Sequence, residues 1–203
     1  MIDKIYIYNR YEQFNLAYVK HLISEVLKYG FAGIYLDTLY YNYLDRIVPD
    51  SSESPDIYWC LPQSNFSNPL DNLFFLNKYP NVLIIQPHIN SQPVENLIDL
   101  LNKTDKQNNK IHLLFQTDEL SPKETGAFLE ILQARDNVKY VLANSNLNSL
   151  DAILFAKSTQ KHTSVPFGLF SIFEDTKHLD MVDEFELVPI ICTDLNISQL
   201  YLK

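Results

Sequence analysis

The sequence predicts an open, doubly wound, mostly parallel α/β sheet of the Rossmann-like kind, with helices on both faces. Three observations predict it. Short apolar runs alternate with amphipathic segments along nearly the whole chain, which is the strand–helix–strand rhythm of such folds. The earlier runs are nearly continuous in Ile, Val, Leu and Tyr, so each strand is expected to be buried on both sides, as in a parallel sheet covered by helices. A length of 203 residues, 46% apolar and 20% charged, suits one well-buried domain. Residues 1–203 therefore read as a single Rossmann-like domain, or as one half of a two-domain protein.

The first strand is expected over 4–8, "KIYIY". Phe14, Tyr18, Leu22 and Val26 then share one helical stripe with Ile23 and Leu27 beside it, and Gly30 stands where a left-handed cap would end that helix. A second strand falls at 32–37, "AGIYLD", followed over 38–55 by a short helix and a polar, Pro-bounded loop. Strands follow at 56–61, "DIYWCL", and 81–86, "NVLIIQ". Val94, Leu97, Ile98 and Leu101 repeat the helical spacing, and the polar turn 102–110 leads into a strand at 110–116, "KIHLLFQ".

Ser121-Pro122-Lys123-Glu124 fits a capping box with proline at the first helical position, and Phe128, Ile131 and Leu132 continue that helix. A strand at 138–144 precedes a helix marked by Leu147, Leu150 and Leu154. Two further strand candidates, 163–168 and 186–193, flank a stretch over 171–185 that reads as helix or extended loop.

Composition excludes several functions. The formal charge is −9, and scattered cations on an acidic chain do not build a phosphate-backbone surface, so no nucleic-acid partner is expected. The thirteen tyrosines read as packing and rim residues. Cys60 and Cys192 each sit in an apolar segment without a CxxC partner, which supports neither a zinc site nor a dithiol centre. A disulfide between them stays open on sequence, disfavoured by compartment. No run reaches the roughly 18 apolar residues of a membrane span, and the N-terminus lacks a signal-peptide pattern, so a cytoplasmic protein is expected. The four glycines, Gly30, Gly33, Gly126 and Gly168, frame no phosphate loop, and HExxH and G-x-S-x-G are absent. No cofactor or metal is expected.

In an open parallel sheet, ligands bind beyond the carboxyl ends of the strands. The residues there are Asn9 and Arg10, Asp37, Gln63 and Ser64, Gln86 and His88, Asp118 and Glu119, and Asn144 and Ser145. Such amides, hydroxyls and acids suit a sugar or another small polar ligand, and they are also what ordinary turns select. His88 stands where a base could act. Asp118 and Glu119 fall between strand and cap, where an acid could deprotonate a hydroxyl or favour the helix N-terminus. His112, inside a strand, reads as a packed residue, and His21, His162 and His178 receive no role.

"PDIYWCLPQ", "KIHLLFQTDE", "VKYVLANSNLNSLDAI" and "TSVPFGLF" follow one another between residues 56 and 170 in an order that resembles the N-terminal, acceptor-side domain of GT-B glycosyltransferases. The resemblance implies a transferase domain that binds a sugar or other polyhydroxyl acceptor. It makes Asp118 and His88 the acceptor-side catalytic residues, with Asn144 and Ser145 lining the cleft. Asn9, Asp37, Gln63 and Glu119 complete the substrate-binding set from their strand-end positions. It also implies a nucleotide-sugar held by a second domain outside these residues, and the first strand–helix turn carries no glycine-rich loop of its own.

The alternative reading is a non-catalytic Rossmann-like or receiver-like module that binds a small ligand, a protein partner or a second copy of itself. Its receiver version is weakened because Asn9-Arg10 and Leu61-Pro62-Gln63 stand where acids would be required. A third reading is a nucleoside-processing enzyme with Asp37 or Glu119 as its acid.

Overall fold

The computed structural model describes residues 2–9, 13–48, 55–61, 76–86, 94–104, 109–173 and 175–193. Eight strands run along it: β1 Ile5–Tyr8, β2 Gly33–Asp37, β3 Asp56–Leu61, β4 Asn81–Gln86, β5 Lys110–Gln116, β6 Val138–Ala143, β7 Phe167–Phe170 and β8 Ile190–Thr193. Each pairs in parallel with the next, and β8 returns to pair with β1 through Tyr6 opposite Ile191 and Tyr8 opposite Thr193. The helices are α1 Leu16–Tyr29, α2 Leu44–Ile47, α3 Val94–Thr104, α4 Pro122–Leu132, α5 Ser149–Gln160 and α6 Thr176–Glu184. The architecture is a closed parallel β/α barrel of the TIM type.

This corrects the expected open, doubly wound sheet. Double-sided burial of the strands has a different origin from the one assumed, because helices cover only the outer face. The inner face is filled by the strands' own side chains. Ile5, Ile7, Ile34, Leu36, Trp59, Val82, Ile84, Leu113 and Leu142 belong to the outer core, with Val19, Ile23 and Val26 of α1, Leu97 and Leu101 of α3, and Leu129 and Leu132 of α4. The alternate positions form a second core inside the barrel, made of Tyr35, Tyr58, Leu83, Leu114, Val141, Ala143 and Ile191, with Tyr6, Tyr8, Cys60, Ile85 and Phe170 against them. Both alternating sets are apolar, so period-two alternation vanishes from the sequence.

The interior is unusually aromatic. Tyr6 meets Tyr35 at 5.6 Å and Tyr58 at 5.6 Å between ring centres, and the His112 ring stacks on Tyr58 at 4.1 Å. Room for Tyr6 comes from Gly33, where a Cβ would press on the Tyr6 ring and the Asp56 carbonyl. Gly168 does the same for closure, since a Cβ there would collide with the Pro189 backbone just ahead of β8.

Local signals explain the helix ends. Asn15 caps α1 by accepting from the Tyr18 N–H at 3.0 Å, and Gly30 ends it at φ 71°, in the left-handed region. Ser121 and Glu124 form the reciprocal capping box of α4. Within the stretch 171–185, Thr176–Glu184 forms α6, and the last two strands begin later than expected, at Phe167 and Ile190.

The helix after β6 differs in detail. Leu150 and Leu154 are 38% and 46% exposed, whereas α5 buries Ser149, Ala152, Ile153, Ala156 and Thr159. Small side chains at Ser149, Ala152 and Ala156 let this helix lie close to the barrel, and Leu150 and Leu154 face outward. Phe14 precedes α1 and stacks on Tyr40 at 4.9 Å instead of joining the helical stripe. Among the described residues, no helix is long and apolar enough to cross a membrane.

Candidate functional site at the C-terminal mouth of the barrel

Because all eight strands point the same way, their carboxyl ends converge on one rim, and the last inward-facing residue of each strand looks into the mouth. A cavity of about 510 Å³ opens there. Its floor and walls come from Tyr8 at the end of β1, Gln116 at the end of β5, Ala143 and Asn144 at the end of β6, Phe170 of β7 and Thr193 of β8. Ser145 and Asn148 from the loop before α5, and Ser171 and Ile172 from the loop after β7, complete it. Among the described residues that line it, none is charged. The chemistry offered is that of amides and hydroxyls beside two aromatic faces, Tyr8 and Phe170, which meet edge-to-face at 5.9 Å.

Asn144 and Ser145, expected at the site from sequence, line this cavity. The Asn144 amide donates to the Thr117 carbonyl at 3.2 Å and its oxygen accepts from the Asn146 N–H at 3.0 Å, which locks the loop that carries it. Asp118 reaches across from the β5–α4 loop. Its carboxylate accepts from the Ser145 N–H at 2.6 Å and from the Ser145 hydroxyl at 3.1 Å. One acid thereby ties two neighbouring rim loops together.

Glu119 is exposed and does not line the cavity. Asp37 caps the turn after β2 by accepting from the Leu39 N–H at 2.8 Å, away from the cavity. Asn9 continues the β1–β2 ladder, its N–H donating to the Tyr35 carbonyl at 3.2 Å. Gln63 and His88 lie outside the described residues.

Tyr8, Gln116, Asn148, Phe170, Ser171 and Thr193 belong to the mouth but were not singled out by the sequence. Strand parity would have found three of them: Tyr8 follows inward Tyr6, Gln116 follows inward His112 and Leu114, and Thr193 follows Ile191. An open sheet directs attention to the first loop residue after each strand. A closed one makes the last inward strand residue equally important.

Nucleophilic catalysis has limited means here. The Ser149 hydroxyl and His178 Nδ1 are 2.7 Å apart, but Ser149 is fully buried at the start of α5, where the pair fastens α5 to α6. Cys60 and Cys192 are free thiols, and burial raises both well above the ordinary cysteine range, so neither is a ready thiolate. The sequence holds no lysine at positions 9–15, 38–43, 62–75, 87–93, 117–121, 144–148 or 171–175, which follow β1 to β7 in the chain. The lysines that start β5 and sit second in β6, Lys110 and Lys139, are at the opposite end of the barrel. Among the described residues, no group of three or more His, Cys, Asp or Glu side chains is placed to hold a metal ion.

No family model and no curated protein matches the chain. Solved structures do. A Coccidioides immitis protein described as a deoxyribose-phosphate aldolase superposes with a TM-score of 0.65 at 9% identity, covering 97% of this chain and 83% of its own. An aldolase called QR15 gives 0.66 at 10% identity, with 97% and 92% covered. The deoxyribose-phosphate aldolase of Aeropyrum pernix, described as tetrameric, gives 0.60 at 10% identity, with 95% and 86% covered.

Identities this low establish the fold. They also overturn the resemblance to GT-B glycosyltransferases. That resemblance rested on the order of strands and helices in a Rossmann-like half, and the same order here builds a closed barrel. The acceptor-domain function, the glycosyltransferase class and the nucleotide-sugar on a second domain fall with it.

Proposed function

We propose that the chain is a small-molecule-binding barrel that holds an uncharged compound, bearing carbonyl or hydroxyl groups, at the C-terminal mouth. The observation that carries this is the composition of the 510 Å³ cavity: Gln116, Asn144, Ser145, Asn148, Ser171 and Thr193 supply hydrogen bonds, Tyr8 and Phe170 supply apolar faces, and the described lining residues carry no charge. Among the described lining residues a charged ligand finds no counter-ion, whereas a neutral one loses little by leaving water if its oxygens find these donors. Asp118 acts through Ser145 as a positioning residue.

A second reading, aldolase activity on such a compound, is favoured by the descriptions of the similar structures. A covalent route through an amine and a carbonyl needs a lysine at the mouth. The positions that directly follow β1 to β7 in the sequence hold none. We therefore assign non-covalent binding as the primary role.

Incubation with short aldehydes and ketones, followed by borohydride reduction and intact-mass measurement, separates the two readings. Calorimetric binding with no added mass supports the first. A reduced lysine adduct would establish the second. An absence of binding across neutral carbonyl and hydroxyl compounds would remove both. Self-association fits the exposed Ile131 of α4 and the exposed Leu150 and Leu154 of α5, and light scattering on the Leu154→Glu variant checks it, a shift to smaller mass being expected.

A further inference from the structure

The N-terminal end of the barrel holds a second cavity of about 240 Å³, which the mouth chemistry does not use. It lies at the strand starts, where Asp56 opens β3, Lys110 opens β5 and Lys139 is second in β6. Tyr6, Tyr58 and His112 line it from the barrel interior.

His112 is only 3% exposed, and its Nδ1 is paired with the Tyr35 hydroxyl at 2.5 Å. Tyr35 is fully buried, and His112 is its hydrogen-bonding partner among the described residues. A hydroxyl so placed must donate, because otherwise its proton would be buried unpaired. Nδ1 therefore accepts, and the proton of the neutral ring sits on Nε2. Burial first, and then the nearby Lys139 and Lys110, push this imidazole down to about 3, so it is neutral near pH 7.

Nε2–H has no partner among the described residues. It is a buried donor in a side chain that lines a polar cavity. The rim contributes a matching cation. Lys110 is engaged with Asp56 at 3.6 Å, while Lys139 is exposed and makes no ion pair among the described residues.

We propose that this N-terminal cavity binds a small carboxylate, whose oxygens take the Nε2–H of His112 and the ammonium of Lys139. The rings of Tyr6 and Tyr58, edge-to-face at 5.6 Å, form its wall. A carboxylate satisfies the buried donor and the uncompensated cation together. A neutral molecule satisfies only the first. Asp136, exposed at the same rim, opposes the anion and limits its affinity. The site is remote in the fold from the mouth and independent of what binds there.

The test is an acetate titration of the whole chain, read from the ring nitrogen resonances of His112, with isosteric acetamide as the neutral control. Acetate is expected to move the Nε2 resonance saturably, and acetamide is expected to leave it in place. Lys139→Met, a change at an exposed side chain, should weaken acetate by about tenfold or more, and Asp136→Asn should tighten it. Equal responses to acetate and acetamide, unchanged affinity in Lys139→Met, or no response to acetate would each overturn the proposal.

Discussion

At the scale of single residues, two side chains carry distinct physics. Asp118 stands between the end of β5 and the capping box of α4, and its carboxylate holds both the N–H and the hydroxyl of Ser145. Hydrogen bonds to a charged group contribute about 1–2 kcal/mol when one end is lost. Asp118→Ala should therefore lower unfolding stability by about that amount in urea titration. Asp118→Asn, which keeps an acceptor, should cost less than half as much, and ligand affinity at the mouth should fall alongside stability because Ser145 lines the cavity.

His112 gives a pH signature. Folded, it is pushed down to about 3 mainly by burial, against an ordinary value of 6.5. Between these values the unfolded chain carries a proton that the folded chain lacks. The stabilisation is thus fully present above pH 6.5 and is lost as pH falls toward 3. Its limiting slope is about 1.4 kcal/mol per pH unit for one proton. His112→Gln, which can still accept from Tyr35, should flatten the dependence of stability on pH over the acidic range relative to the parent, and equal slopes would refute the assignment.

At the scale of elements, capping and periodicity were read well where the cause is local. The capping box of α4, the left-handed Gly30 and the strand at 56–61 all depend on neighbours within a few residues. The face of α5 is not legible in the sequence, because the spacing of its large leucines points to the wrong side. Ala152 and Ala156 are buried there instead, and close approach to the barrel requires them to be small. Ala156→Leu should cost about 1–3 kcal/mol by overpacking. Leu154→Ala, at a side chain 46% exposed, should change stability by about 0.5 kcal/mol or less. Thermal melts of the two variants check the order, and the reverse order would show that α5 packs on its leucine face.

At the scale of the whole molecule, closure is the event that creates the mouth. It depends on β7 and β8 approaching through Gly168 and Pro189, and on β8 then meeting β1. Gly168→Ala places a methyl group against the Pro189 backbone, so it should destabilise by several kcal/mol or prevent folding, as circular dichroism and solubility would show. Alanine at an exposed α4 position such as Lys123 provides the inert comparison.

Local patterns in the chain mark eight apolar runs, most of the helices between them, the capping box at Ser121, the Gly30 cap and the acidic, glycine-poor composition that excludes phosphate loops. These follow from interactions within one or two turns of chain. Tertiary structure alone decided that the eighth strand returns to the first, that the inner face is packed with Tyr6, Tyr35, Tyr58 and His112, and that Tyr8, Gln116 and Thr193 meet Asn144 and Ser145 at one mouth. An open sheet and a closed barrel both demand strands apolar on both sides, so burial does not separate them. The difference lies in a β1–β8 pairing between residues more than 180 positions apart, which no local pattern in either strand records.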